Sequence, residues 1–347
     1  MMDLFSDYIL TLKATKEPAY RNAKLHGPGT LYPLLASDSP MEFVEGIQAA
    51  CHAHALRQQT EGDREHKPAL LPWAADIRTL RQMLREIRAH GGTAPGVDGR
   101  RPADVTDRDL RAISESMRQG TYAPHALREC RIPKRSGGTR TLQIPTIDDR
   151  IVERALLTIL EPIMEPVFHD TIHGFRPGRS PHTALAQAIR LTEAEGRWVW
   201  GAYDLEDAFG SIPHGRMLQV LNRHIPDEEM MRMTARFVTR DGTKVEGAHR
   251  GRGVPQGCPL SPFFLNMYAA QHLDEPSAEQ NPQTPMIRYA DDLLTLCRSR
   301  AELRRAEGSL KKISRPHGLR PNARKTKKTD LKGGEQATYM GFSLGSV

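Results

Sequence analysis

The sequence predicts an α+β fold built around an antiparallel sheet. Helical and strand-like periodicities alternate irregularly along it, without the regular βαβ rhythm of a parallel sheet. Residues 198–204 read as a strand that delivers a carboxylate, Asp204, at its C-terminal end, and residues 286–296 read as a hairpin with acidic residues at its tip. Ordinary hydrophobic (38%) and charged (26%) fractions over 347 residues exclude a disordered chain and allow one large or two small domains. A formal net charge of +7 points to a polyanionic partner, because basic surface attracts phosphate backbones. Cys51, Cys130, Cys258 and Cys297 lie far apart with no C-x-x-C pair, so neither a zinc site nor a disulfide framework is predicted, which fits a reducing cytoplasm. No basic-then-apolar leader and no run of ~20 apolar residues occurs, so a cytoplasmic protein without membrane contact is expected.

The elements follow in order. A polar run from Thr60 to Lys67 leads into Pro68 and Pro72, and places a boundary between residues 1–72, a helical N-terminal extension, and residues 73–347. Within the extension, Ser39, Pro40 and Glu42 read as a capping box, and Phe43, Val44, Ile47 and Cys51 continue one apolar face. His52 and His54 diverge on that helix and read as exposed or packing residues. Ile77, Leu80, Leu84 and Ile87 predict a second amphipathic helix ended by Gly91 and Gly92, before the turn-rich Pro95-Gly96-Val97-Asp98-Gly99. Residues 128–145 read as two strands around Ser136-Gly137-Gly138, a hairpin whose Arg128, Arg131, Lys134, Arg135 and Arg140 suit phosphates. Val152, Ala155, Leu156, Ile159, Leu160 and Ile163 predict a helix with Arg150 and Arg154 on its polar side.

Two carboxylate groups stand out against this background: Asp204 in Tyr203-Asp204-Leu205-Glu206-Asp207-Ala208-Phe209, and Asp291 with Asp292, flanked by Leu293 and Leu294. Adjacent acids in an apolar strand repel one another unless a cation offsets their charge. Hard Mg²⁺ favours carboxylate oxygens on a rigid support, and a pair of such ions suits nucleotidyl transfer.

Tyr289-Ala290-Asp291-Asp292 resembles motif C of reverse transcriptases, and Asp204 to Phe209 resembles their motif A. Gly174-Phe175-Arg176-Pro177-Gly178-Arg179-Ser180 and Gly253 to Pro262, with Val254-Pro255-Gln256-Gly257 inside it, are similar to blocks of group II intron-encoded proteins. So are Ile132-Pro133-Lys134 with Arg140 to Pro145, Asn322 to Thr326, and Tyr339-Met340-Gly341-Phe342. The set, in order, carries the resemblance.

The resemblance implies right-hand polymerase fingers and palm over residues 73–347, and an RNA-directed DNA polymerase using two Mg²⁺ ions, an RNA template, a DNA or RNA primer and dNTPs. It implies that Asp204 and Asp291 ligate both ions, that Asp292 assists and that the Leu205 carbonyl adds an oxygen. Lys134 and Arg140 are expected to hold the incoming triphosphate, Gln256 to press on nucleotide and template, and Lys325 to act as general acid towards pyrophosphate. Phe209 is expected to exclude a ribose 2′-hydroxyl, since a phenyl ring accepts no such hydrogen bond. The sequence ends soon after the block resembling a primer grip, so no C-terminal thumb is expected, and a structured noncoding RNA or a protein subunit is expected to supply that grip. The leading biological reading is a stand-alone bacterial enzyme, such as one of antiphage defence. The alternatives are a shortened or split group II intron protein, a CRISPR-associated polymerase and a catalytically idle nucleic-acid-binding protein.

Overall fold

The computed structural model describes residues 35–61, 69–90, 92–133, 139–240 and 251–345. Along the chain run α1 (Pro40–Glu61), α2 (Leu71–Ala74), α3 (Ile77–His90), α4 (Asp107–Arg118), β1 (Arg128–Pro133), β2 (Thr139–Ile144) and α5 (Ile147–Met164). Then come α6 (Pro181–Glu195), β3 (Val199–Glu206), α7 (His214–His224), α8 (Glu228–Thr239), α9 (Ser261–Ala269), a π-helical turn Ala270–Asp274 and α10 (Glu275–Gln280). The last elements are β4 (Met286–Tyr289), β5 (Asp292–Cys297), α11 (Arg300–Ser314), β6 (Arg320–Pro321), β7 (Lys327–Asp330), β8 (Ala337–Tyr339) and β9 (Phe342–Leu344). The described residues divide into two compact units, 35–167 with 214–264 and 168–213 with 265–345. Among them no helix is long and apolar enough to cross a membrane.

The first unit is mainly helical. Leu80, Met83, Leu84 and Ile87 give α3 a buried stripe at helical spacing, as the sequence predicts, and α1 and α5 pack against it. Ser39 stands just before α1, its carbonyl accepting from the Phe43 N–H at 3.0 Å, while the Glu42 carboxylate takes its hydrogen bond from the Ser37 hydroxyl at 2.6 Å and not from Ser39. His52 is buried, with Nδ1 3.2 Å from the Pro162 carbonyl, a packing histidine. Helix α5 starts at a Thr146 cap and is buried on nearly every side. Arg150 is a correction to the expected polar side: it is buried and donates to the carbonyls of Gly92 (2.7 Å), Ala94 and Pro145 (3.2 Å). Buried guanidinium groups need such acceptors. Strands β1 and β2 pair antiparallel from Arg128↔Ile144 to Pro133↔Thr139, which is the expected hairpin. Its predicted turn, Lys134 and Arg135 lie outside the described residues.

The second unit is a five-stranded antiparallel sheet in the order β4-β5-β3, with β6 and β7 sharing the far edge of β3. Strand alternation gives it two apolar faces. Trp200, Leu294 and Leu296 pack with Ala184, Ala188 and Leu191 of α6, while Val199 and Cys297 pack with Leu303 and Ala306 of α11. The β8–β9 hairpin adds Ala337 and Tyr339 to the α6 side. This is the α+β architecture around an antiparallel sheet that the sequence predicts.

Candidate active site

Strand β3 pairs with β5 so that Asp204 lies directly opposite Asp292, and β4 pairs with β5 so that Tyr289 lies opposite Asp292 too. Ala290 and Asp291 form the tight turn between, with Ala290 at φ 57°. The backbone N–H of Leu205 donates to the Asp291 carbonyl at 3.0 Å, which ties the turn to the end of β3. Asp204, Asp291 and Asp292 are therefore brought together, as the sequence predicts. Asp204 and Asp292 share a face with Trp200, Ala202, Leu294 and Leu296 by the two-residue period of a strand.

The remaining contacts aim cations and donors at this acidic end. Asn322 donates its N–H to the Asp204 carbonyl at 2.7 Å, and this anchors the turn that carries Lys325. The Lys325 ammonium lies 2.9 Å from both oxygens of the Asp204 carboxylate. Hydrogen bonding to Asp204 raises the Lys325 pKa. Burial, then the neighbouring charges of Asp291 and Asp204, pushes Asp292 up to about 6, and burial with the Asp204 charge also raises Asp291.

Whether metal ions suit these residues turns on the donor set and on Lys325. Three carboxylates lie together here, two of them, Asp291 and Asp292, with pKa values raised by burial and by their acidic neighbours, so the site favours added positive charge, and an ammonium already stands against Asp204 as a stand-in cation. The oxygen donors suit a hard divalent ion. Among the described residues no three His, Cys, Asp or Glu side chains form a ready-made metal cage.

A second layer of residues, not singled out by the sequence as functional, holds the Ala290–Asp291 turn. Arg288 is wholly buried in β4, bonded to both Asp274 oxygens (3.1 and 2.8 Å), to Asn266 Oδ1 (2.8 Å) and to the Ala290 carbonyl (3.2 Å). Asn266 also donates to the Gly174 carbonyl at 2.7 Å. A Cβ on Gly174 would stand 2.2 Å from the Ala290 nitrogen, so only glycine lets that loop lie against the turn. An arginine between Ile287 and Tyr289, in an apolar run, was the one sequence signal for this buried pair.

Leu205 is buried in β3 and pairs with Pro321 of β6. Phe209 is half-buried in the turn after β3. In the helical unit, Arg140 is exposed on β2 opposite Ile132. Gln256 accepts the Gln143 N–H at 2.7 Å, and Gly257 at φ 114° brings its α-carbon so close to β2 that a Cβ would stand 2.9 Å from the Gln143 carbonyl. Beneath that loop Arg240 donates to Asp149 at 2.6 Å and approaches Glu153 at 3.5 Å and the Cys258 sulfur at 3.2 Å; the Leu260 N–H donates to Glu153 at 3.1 Å.

A family model described as reverse transcriptase (RNA-dependent DNA polymerase) matches residues 132–344. Protein YkfC of Escherichia coli is 33% identical over 234 residues, 58% of this chain and 59% of that protein. The group II intron-encoded protein LtrA of Lactococcus lactis is 34% identical over 180 residues, 51% of this chain and 30% of LtrA. An uncharacterized 91 kDa protein in the cob intron of Schizosaccharomyces pombe is 34% identical over 194 residues, covering 54% of this chain and 23% of its own length. The chain spans less than two thirds of each of these relatives.

Proposed function

Because the chain belongs to the reverse transcriptase family, we propose that it is an RNA-directed DNA polymerase whose reaction centre lies at Asp204, Asp291 and Asp292. The observation that carries this reading is the direct cross-strand pairing of Asp204 with Asp292, with Asp291 held in the turn beside them. In the reaction the primer 3′-hydroxyl oxygen bonds to the α-phosphorus of a dNTP, the bond from that phosphorus to the bridging oxygen breaks, and pyrophosphate leaves. Two Mg²⁺ ions, when bound, would supply Lewis-acid activation of the hydroxyl and charge neutralisation of the phosphates.

The chain's own residues account for the rest. Asp204 and Asp291 would hold the ions, with Asp292 assisting and the Leu205 carbonyl at the same strand end adding an oxygen. Lys325, protonated and bonded to Asp204, moves to the leaving pyrophosphate and donates its proton there. Lys134 and Arg140 are assigned the triphosphate and Gln256 the nucleotide, roles that rest on the motifs in which they stand. Phe209, in the turn after Asp204, blocks a 2′-hydroxyl. A structured RNA or a protein subunit bound to the chain would be a second grip on the duplex.

Primer extension with Mg²⁺ on matched RNA and DNA templates, supplied with dNTPs or NTPs, tests this. The expected result is extension on RNA with dNTPs and little with NTPs. Binding of the primed template without any extension would overturn the reading in favour of a nucleic-acid-binding protein.

A further inference from the structure

Four non-glycine residues among those described adopt positive φ: Phe175 (57°), Asp207 (44°), Ala290 (57°) and Met340 (48°). Asp207, Ala290 and Met340 are turn residues of the sequence blocks discussed above. Phe175, in the Gly174–Ser180 block, is the aromatic among the four, and a bulky side chain in the left-handed region is a marked outlier that glycine would relieve. Its ring is also 49% exposed, which makes it one of three large hydrophobic side chains described as exposed. Both features disfavour phenylalanine at this position on grounds of stability alone.

The loop that presents this ring is fixed at several points. Gly174 lies against Ala290 and accepts from Asn266 Nδ2 at 2.7 Å, and Arg176 is buried, donating to the carbonyls of His169 (2.8 Å) and Ile172 (2.7 Å). The backbone has little freedom to withdraw the ring. Strain that the surroundings over-determine marks functional positions more often than accidental ones. On one side the Phe175 ring meets the Tyr289 ring, with centroids 6.5 Å apart and planes tilted by 36°; the rest of the ring faces outward. Tyr289 stands two residues before Asp291, a separation of roughly 7 Å at most along the backbone.

We propose that Phe175, backed by Tyr289, is a stacking platform for the terminal nucleotide of the primer strand. The assignment rests on the polymerase reading above, since it is the primer terminus that must come within reach of Asp204 and Asp291. A sugar or base face matches the exposed ring, because every nucleotide offers an apolar face that stacks on an aromatic without sequence preference. Phe175 touches the substrate at a distance from the phosphorus and is a binding residue, with Arg176 and Gly174 as the residues that position it.

The test uses the whole chain, wild type beside Phe175→Gly and Phe175→Trp, and a primed RNA template with 2-aminopurine at the primer 3′ end. Anisotropy gives the dissociation constant, 2-aminopurine quenching reports stacking, and thermal melting reports the fold. Phe175→Gly is expected to melt no lower than wild type, to lose quenching and to raise Kd about five- to 150-fold, the range found for deleted base–aromatic stacks. Phe175→Trp is expected to retain quenching and affinity. Unchanged Kd and quenching in Phe175→Gly would overturn the proposal, as would equal losses in both variants accompanied by lower melting. Wild type that shows no binding or quenching overturns it as well. Wild type that binds and quenches yet never extends with dNTPs fails the polymerase reading alone and leaves the contact standing.

Discussion

Lys325 caps Asp204: its ammonium nitrogen is 2.9 Å from each carboxylate oxygen, and the turn that bears it is tied to the same aspartate by the Asn322 N–H. The pair is a salt bridge and a competition, because the positive charge now on Asp204 stands where a divalent cation would go. The Lys325 side chain is 60% exposed, so the bridge contributes less than about 1 kcal/mol to folding. Lys325→Met is therefore expected to leave stability nearly unchanged, to lower the Mg²⁺ concentration needed for half-maximal extension and to slow single-turnover extension by about 10²-fold through loss of the proton donor. Melting curves, Mg²⁺ titration and quench-flow check the three parts; an unchanged rate removes Lys325 from the chemistry.

Asp204→Ala and Asp291→Asn are each expected to abolish extension. The folded state should survive, because each change relieves repulsion among acids that lie together. In metal-free buffer the variants should melt at or above the wild-type temperature. Retained extension by either one would remove that residue from the reaction centre.

The acids also set a pH dependence. Asp292 is held up to about 6 from an ordinary 3.8, so the folded metal-free protein binds a proton more readily than the unfolded chain. Its contribution to stability is fully present below 3.8 and is lost as the pH rises through 6, the reverse of a salt-bridged carboxylate. Mg²⁺ needs the ionised form, so apparent Mg²⁺ affinity should rise with pH up to about 6 and then level off. Calorimetric Mg²⁺ titrations between pH 5 and 7 measure this, and Asp292→Asn should flatten the curve.

Phe209→Val is expected to raise the ratio of NTP to dNTP incorporation by at least about ten-fold, since one unfavourable contact of 1.4 kcal/mol corresponds to that factor. Metal ligands are untouched, so dNTP incorporation should fall little. Competitive incorporation on one template gives the ratio directly, and an unchanged value would make Phe209 a packing residue.

Much of the palm was legible because its signals are local. The apolar runs on either side of Asp291 and Asp292 specify two strands, and the pair of acids between them specifies an exposed tip, which β4 and β5 realise at Met286–Tyr289 and Asp292–Cys297. The buried charges were not legible. Arg150 read as a solvent-facing cation, and Arg240 and Arg288 drew no reading, because pattern analysis assigns charge to the surface and the partners that make burial tolerable are distant in sequence: Asp149 lies 91 residues before Arg240. Phe175 drew no reading beyond its place in a motif, because neither its exposure nor its positive φ has a signature in the residue types around it.

Arg240 gives the sharpest test of the buried network. Asp149 is wholly buried and takes hydrogen bonds from Arg240, from the Tyr122 hydroxyl at 2.7 Å and from the His125 N–H at 3.0 Å; Glu153, also buried, takes one from the Leu260 N–H. Arg240 is the cation that lies against both carboxylates, His125 Nδ1 meeting only Asp149 (3.1 Å), so Arg240→Leu strands negative charge in an apolar interior. Breaking one side of a buried pair costs about 3–5 kcal/mol, whereas exchanging both sides for neutral groups costs far less. Arg240→Leu should therefore shift the urea midpoint strongly downward, and adding Glu153→Gln should recover part of the loss by removing one of the stranded charges. If Arg240→Leu unfolds within about 1 kcal/mol of wild type, or if the double variant is less stable than the single one, the carboxylates are satisfied without the arginine and its burial needs another explanation.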